Sequence, residues 1–220
     1  MTHSDWDSAA ELLTAGIDQL QMKLTDSQQI SMIEFLQLLQ KWNKAFNLTS
    51  IVQWRDMVIK HLLDSLSVSP WIKGKTVLDV GTGAGIPGVP LAIANPQLHF
   101  TLLDTNGKKT RFIKQAVTEL KISNITVVQS RIENFTSENP FDQIICRAYS
   151  AISKFVAQTE QLLHSDIQLL AMKGLLPQEE LDELETDARL SSLIKVQEWQ
   201  ELRVPYLDEQ RHLVLLTPRY

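Results

Sequence analysis

Apolar residues return every three or four positions over residues 5–23 and again over 26–46, so both stretches are expected to be amphipathic helices. The second is the clearer, with Phe35, Leu38, Leu39, Trp42 and Phe46 at i, i+3, i+4, i+7 and i+11. Thr25 with Gln28 three residues on supplies a capping box for its start. A third helix is expected from about 55 to 67, closed by Pro70. Trp42, Phe46 and Trp54 are expected in the core of this region rather than as a platform for stacking bases.

From Thr76 the rhythm changes to short apolar runs alternating with helical stretches. Strands are expected at 76–80, 98–103, 125–129, 141–146, 167–172, 195–202 and 211–217, and helices at 87–94, 107–120, 151–163 and 177–189. Helical or crossover segments between the first five strands argue for a parallel, doubly wound sheet. Only Val204 to Glu209 joins the last two, which are expected to pair antiparallel at an edge. The expected architecture is a Rossmann-like α/β domain with seven strands over 71–220, and a helical extension over 1–70 packed on it.

Composition narrows the classes. At 220 residues and 44% hydrophobic the chain can bury one good core. No uncharged run approaches the roughly 20 residues that span a bilayer, and the opening residues carry no leader pattern, so a cytoplasmic protein without membrane contact is expected. Cys146 is the only cysteine, which permits no internal disulfide, and the histidines are scattered without zinc spacing. The net charge is −5, yet Glu179, Glu180, Asp182, Glu183, Glu185 and Asp187 place six acids in one stretch. The rest of the chain is near neutral, so a local basic surface is compatible with the sum. That acidic stretch reads as a solvated helix face behind Pro177, with Leu181, Leu184 and Ala188 as its apolar stripe.

The densest chemical signal is Val77-Leu78-Asp79-Val80-Gly81-Thr82-Gly83-Ala84-Gly85-Ile86-Pro87-Gly88, a strand running into a glycine turn through which backbone can approach a ligand. The next apolar run ends in Asp104, whose carboxylate suits the two hydroxyls of an adenosine ribose or, more plainly, caps a helix near Gly107. The turn also fits G-x-G-x-x-G, so a dinucleotide site satisfies the same spacing. Three features favour S-adenosyl-L-methionine. Asp79 stands where a carboxylate can help hold the donor's amino acid portion through the turn. Seven strands with an antiparallel end match a methyltransferase sheet better than a nicotinamide domain. Nothing after the fifth strand supplies a hydride enzyme's acid–base histidine in a second domain.

The acceptor is narrowed by what is missing. Cys146 sits inside an apolar run and reads as packing rather than as the nucleophile of cytosine C5 methylation. After the fourth strand the chain has Arg147-Ala148-Tyr149-Ser150, not the Asn or Asp with two prolines and an aromatic typical of amino-group methylation. Guanine N7 carries a lone pair and no proton at neutral pH, so a site for it works by positioning and needs no catalytic base.

Trp42 to Ser50, His61-Leu62-Leu63-Asp64-Ser65, Asp79 to Gly88, Ser130-Arg131, Arg147-Ala148, Met172-Lys173-Gly174 and Arg211-His212-Leu213 occur in this order. Together they resemble the GidB-type (RsmG) ribosomal RNA methyltransferases, from about residue 30 onward. The chain departs in small ways, with Ala84 where many relatives carry proline and Asn134 where some carry an acid. The resemblance implies methylation of N7 of a guanine in the 530 loop of 16S rRNA, in the small ribosomal subunit, with S-adenosyl-L-homocysteine as product. It carries donor contacts onto Gly81, Ile86, Ile132, Glu133 and Arg147, beside Gly83 and Asp104 from the turn. It further suggests RNA contacts among Lys108, Arg131, Arg147, Lys173 and Arg211. For Lys108, Lys109, Arg111 and Lys114 a solvated helix face is an equal reading. His61 and Asp64 share a helix face and either shape the acceptor side or pack locally. No metal is expected, and a monomer is the default. The rival functions are a small-molecule methyltransferase, with the N-terminal helices as lid, and a binding factor that keeps the fold without catalysis.

Overall fold

The computed structural model describes residues 3–219; Met1 and Thr2, which open the stretch read for a leader, and Tyr220 lie outside. The chain begins with α1 (His3–Gln19) and α2 (Asp26–Phe46). Both arms of the Thr25/Gln28 capping box are formed, and Asn47 closes α2 in the left-handed conformation. Gln28 does a second job: its amide nitrogen donates to the carbonyls of Ile93 and Ala94, 2.8 and 3.3 Å away, and so ties the start of α2 to the end of the helix over Gly88–Ala94.

The third helix departs from a simple reading. It starts as α3 (Trp54–Met57), widens into a π-helical stretch (Val58–Leu63) and resumes as α4 (Asp64–Leu66). The Asp64 amide reaches back five residues to the carbonyl of Ile59. Such a widened turn has the same apolar spacing as an α-helix except for one extra residue.

Seven strands follow: β1 (Thr76–Val80), β2 (His99–Asp104), β3 (Ile125–Gln129), β4 (Gln143–Arg147), β5 (Gln168–Lys173), β6 (Ile194–Glu201) and β7 (His212–Pro218). The order across the sheet is β3-β2-β1-β4-β5-β7-β6, with the first five parallel. The antiparallel pairing of β6 with β7 is as expected, and β7 also inserts antiparallel against β5, which leaves β6 at the edge. The order reverses between β1 and β4, and the crevice at that point is where open α/β sheets take their ligands.

Alternate strand residues feed two cores. Val77, Phe100, Leu102, Ile145 and Leu170 pack under α5 (Gly88–Ala94) and α6 (Gly107–Glu119), in a cluster that runs on through Leu13, Phe35 and Leu63 of the N-terminal helices. Phe112 of α6 stands 5.9 Å from Phe35 and 5.7 Å from Trp42, ring centre to ring centre. Leu78, Val80, Ile144, Cys146 and Leu169 face the other way, onto α7 (Ile152–Thr159), α8 (Gln178–Thr186) and α9 (Leu190–Leu193). Trp42, Phe46 and Trp54 pack against the first core, as their spacing suggests. The acidic helix is shorter than its periodicity implies: it ends at Thr186, Ala188 is exposed, and Leu190 of the next turn completes the buried stripe with Leu181 and Leu184.

Candidate active site

The turn after β1 is held from below and from the side by two carboxylates. Asp79, wholly buried, accepts the Thr82 hydroxyl at 2.6 Å and the Gly88 amide at 2.9 Å through one oxygen, while its other oxygen has no hydrogen-bond partner among the described residues. Burial pushes this carboxyl up to about 7, against which the Thr82 and Gly88 hydrogen bonds act. Asp79 therefore acts on the turn's shape. Asp104, at the end of β2, accepts the Gly83 amide at 2.9 Å and the Asn106 amide at 2.8 Å, one on each oxygen. The cap of α6 is Asn106, not Asp104: its side chain takes the Lys108 and Lys109 amides.

Gly81, Gly83 and Gly85 all have positive φ, between +63° and +86°. At Gly83 an added Cβ would meet nothing nearer than Lys109 Nζ, 3.8 Å away, so the backbone there is open. At Gly81 the same atom would lie 2.3 Å from the ring of Tyr149. Tyr149 follows β4 and Ala148, itself in the left-handed region at φ +50°. Its hydroxyl donates to Gln158, whose amide in turn bonds the Glu133 carboxylate.

These parts enclose a cleft of about 220 Å³ lined by Gly81, Leu103, Asp104, Thr105, Lys109, Ser130, Ile132, Ala148 and Tyr149. Of the residues expected to touch a donor, Gly81, Asp104 and Ile132 line it. Gly83 bonds Asp104 beside it, and Ile86 is buried beneath the turn in the first core. The Ile132 carbonyl accepts from Gln161, and the Glu133 carboxylate is exposed.

Arg147 lies on the far side of Ala148, in a second cavity of about 330 Å³ lined by Asp64, Arg147, Ala148, Met172, Lys173, Gly174, Leu202, Arg211 and His212. Here Asp64, 4% exposed, sits 2.8 Å from Arg147 Nη1 and 3.5 Å from Arg211 Nε. The same Arg147 nitrogen donates to the carbonyl of Lys60 in the widened helical turn, at 2.7 Å. Lys173 donates to the Ser150 carbonyl at 2.9 Å and pairs with Glu180 at 2.6 Å. Glu180 also accepts the Ile152 amide at the start of α7, so this member of the acidic run points inward, contrary to the reading of a purely solvated face. His61 is buried beside this cavity, hydrogen-bonded to Thr49 at 3.2 Å, and burial with the Arg147 charge lowers its imidazole to about 3.

The five cations expected on RNA thus divide. Arg147, Lys173 and Arg211 line the second cavity, while Lys108 and Arg131 are exposed beyond the first. Two residues that the pattern did not single out are prominent: Tyr149 lines the first cleft and Glu180 anchors Lys173, and only the position of Tyr149 just past a strand end offered a signal. Lys109, for which a solvated helix face was an equal reading, also lines the first cleft. Cys146 is buried with its thiol pushed up by desolvation, in keeping with packing.

A family model described as rRNA small subunit methyltransferase G matches residues 28–214. A protein of Coxiella burnetii named ribosomal RNA small subunit methyltransferase G is 47% identical over 204 residues, covering 93% of this chain and 96% of that one. One of the same name from Enterobacter sp. (strain 638) is 43% identical over 208 residues, covering 94% and 98%. Among solved structures, the magnesium protoporphyrin IX methyltransferase of Synechocystis, with bound SAM, aligns with a TM-score of 0.57 at 14% identity, covering 88% of this chain and 98% of that one; it shares the fold.

Proposed function

The chain belongs to the family of rRNA small subunit methyltransferase G, and on that premise we propose that it transfers a methyl group from S-adenosyl-L-methionine to N7 of a guanine in 16S rRNA, the 530-loop guanine of the small ribosomal subunit. The observation that carries the reading is the meeting of two cavities at Ala148, one built on the glycine turn and Asp104, the other lined by cations.

The first cleft suits an adenosine-bearing donor. Each oxygen of Asp104 accepts one amide and keeps a lone pair, which matches two ribose hydroxyls. Leu103 and Ile132 supply apolar walls, the Gly83 backbone is open, and Lys109 brings a positive charge toward a donor carboxylate. Bound there, the donor supplies a methyl group activated by its sulfonium. The chain's own task is then to hold two partners in line and exclude water between them.

No proton has to be removed. Asp64 is clamped by two guanidiniums, Asp104 by two amides and Lys173 by Glu180, so the charged groups around the cavities serve position rather than proton transfer. That arrangement favours an acceptor atom with a free lone pair, such as guanine N7, over an exocyclic amine. Mapping of rRNA modifications by mass spectrometry in cells lacking this chain tests the reading: one 7-methylguanine of 16S rRNA disappears and returns when the gene is restored. An unchanged 16S rRNA methylation map would reject it.

A further inference from the structure

We infer that the second cavity receives the target base, and that Asp64 is a positioning residue that sets Arg147 and Arg211 to select guanine by its carbonyl edge. This deepens the function proposed above and rests on it.

Asp64 is an unusual carboxylate. It is buried, it lines the cavity, and one of its oxygens, Oδ1, has no hydrogen-bond partner among the described residues although Arg211 Nε lies 3.5 Å away. Its other oxygen binds Arg147 at 2.8 Å. One anion is thus shared by guanidiniums from two separate elements, the end of β4 and the residue before β7. Half-buried cations brought together without it would repel. A purely structural ion pair needs one cation and closes over itself; this one stands in the wall of a cavity of about 330 Å³, a volume typical of small-ligand sites.

The chemistry of the lining points to the ligand. Arg147 spends Nη1 on Asp64 and on the Lys60 carbonyl, which holds the plane of the guanidinium while Nε and Nη2 remain for a ligand. Arg211 is fixed in turn by Glu209 and by the Gln210 carbonyl. Donors held in this way suit the guanine edge, where O6 and N7 are both acceptors. Adenine places an amino group where guanine has O6, and that group would face an arginine donor. A guanidinium on O6 leaves N7 free to face Ala148, the wall shared with the donor cleft.

The test uses the full chain saturated with S-adenosyl-L-homocysteine or its methylated parent. Asp64→Asn keeps size but removes the charge and turns one acceptor oxygen into an amide donor. Its donor affinity by calorimetry should stay within about twofold, while single-turnover methylation of small subunits falls at least about 30-fold. The double variant Asp64→Asn/Arg211→Ala should lose no more than about threefold beyond the larger single loss, because both act through one group. Additive losses, or a loss of donor affinity, would overturn the inference. A second measurement needs no variant: saturation-transfer NMR on the donor-loaded chain should show guanosine monophosphate binding about tenfold more tightly than adenosine monophosphate. Equal binding, or none for either nucleotide, would also overturn it. Should the unaltered chain fail to methylate guanine in small subunits at all, the proposed function falls first; normal methylation by both it and Asp64→Asn sinks this inference alone.

Discussion

Two buried residues near the site pull stability in opposite directions as pH changes. Asp79 holds its proton up to about 7 in the folded chain but titrates near 3.8 when unfolded, so its contribution is greatest below that value and declines as pH rises toward 7. His61 stays neutral down to about 3, whereas the unfolded imidazole takes a proton near 6.5; its contribution is full above 6.5 and is lost as pH falls. Between about 4 and 6.5 the two slopes oppose each other. Removing either should expose the other in denaturant titrations. The stability of Asp79→Asn relative to the parent should improve as pH rises through this window, and that of His61→Gln should improve as pH falls. Parallel curves would refute the assignment. Gly81 gives a second residue-scale expectation. Alanine there meets the Tyr149 ring at 2.3 Å and must adopt φ +69°, which costs roughly 1–2 kcal/mol by backbone conformation alone. Calorimetry should show weakened donor binding, and Tyr149→Ala in the same chain should relieve the clash but not the backbone cost.

At the level of elements, caps and periodicity were readable and departures from them were not. Thr25 and Gln28 announced the start of α2, and β1 and β3 fall on the positions their apolar runs occupy. The widened turn at Val58–Leu63 was invisible, since apolar residues three and four apart serve an α-helix and a π-turn alike. Periodicity overstates the acidic helix because Ala188 continues a stripe that the chain abandons for Leu190. Similarly, the glycine turn was legible as a site, whereas Tyr149 and Glu180 were not: Tyr149 meets Gly81 because β1 and β4 lie side by side, and Glu180 meets Lys173 and the Ile152 amide across the fold. The ties between helices and sheet domain yield a prediction. Phe112→Ala empties the space between α6 and α2 and should cost about 3–5 kcal/mol in chemical denaturation. If Phe112 merely capped a loose contact, the loss would stay below about 1 kcal/mol.

For the molecule as a whole, charge is separated rather than scarce. The exposed Lys108 and Arg131 flank one cavity, and Arg147, Lys173 and Arg211 line the other, while the acidic α8 stands close by with Glu180 turned toward Lys173. A chain of net charge −5 should grip bare oligonucleotide poorly and depend on a shaped particle for its contacts. Methylation of small subunits at limiting substrate should fall steeply as salt rises from about 50 to about 200 mM, and replacing the exposed Arg131 by alanine should flatten that dependence while leaving donor affinity intact. A rate indifferent to salt would show that phosphate contacts contribute little.

The extra residue in the helix before β1 makes its length as decisive as its composition. A turn closed five residues back sweeps about the same angle as an α-turn closed four back, so deleting one residue between Met57 and Leu63 would restore regular winding with Asp64 still on the face of both arginines. The Lys60 carbonyl that steadies Arg147 would return to the helix ladder in the same step. Conservative exchanges of side chains along this stretch leave that carbonyl turned out toward Arg147; a shortened stretch takes it back.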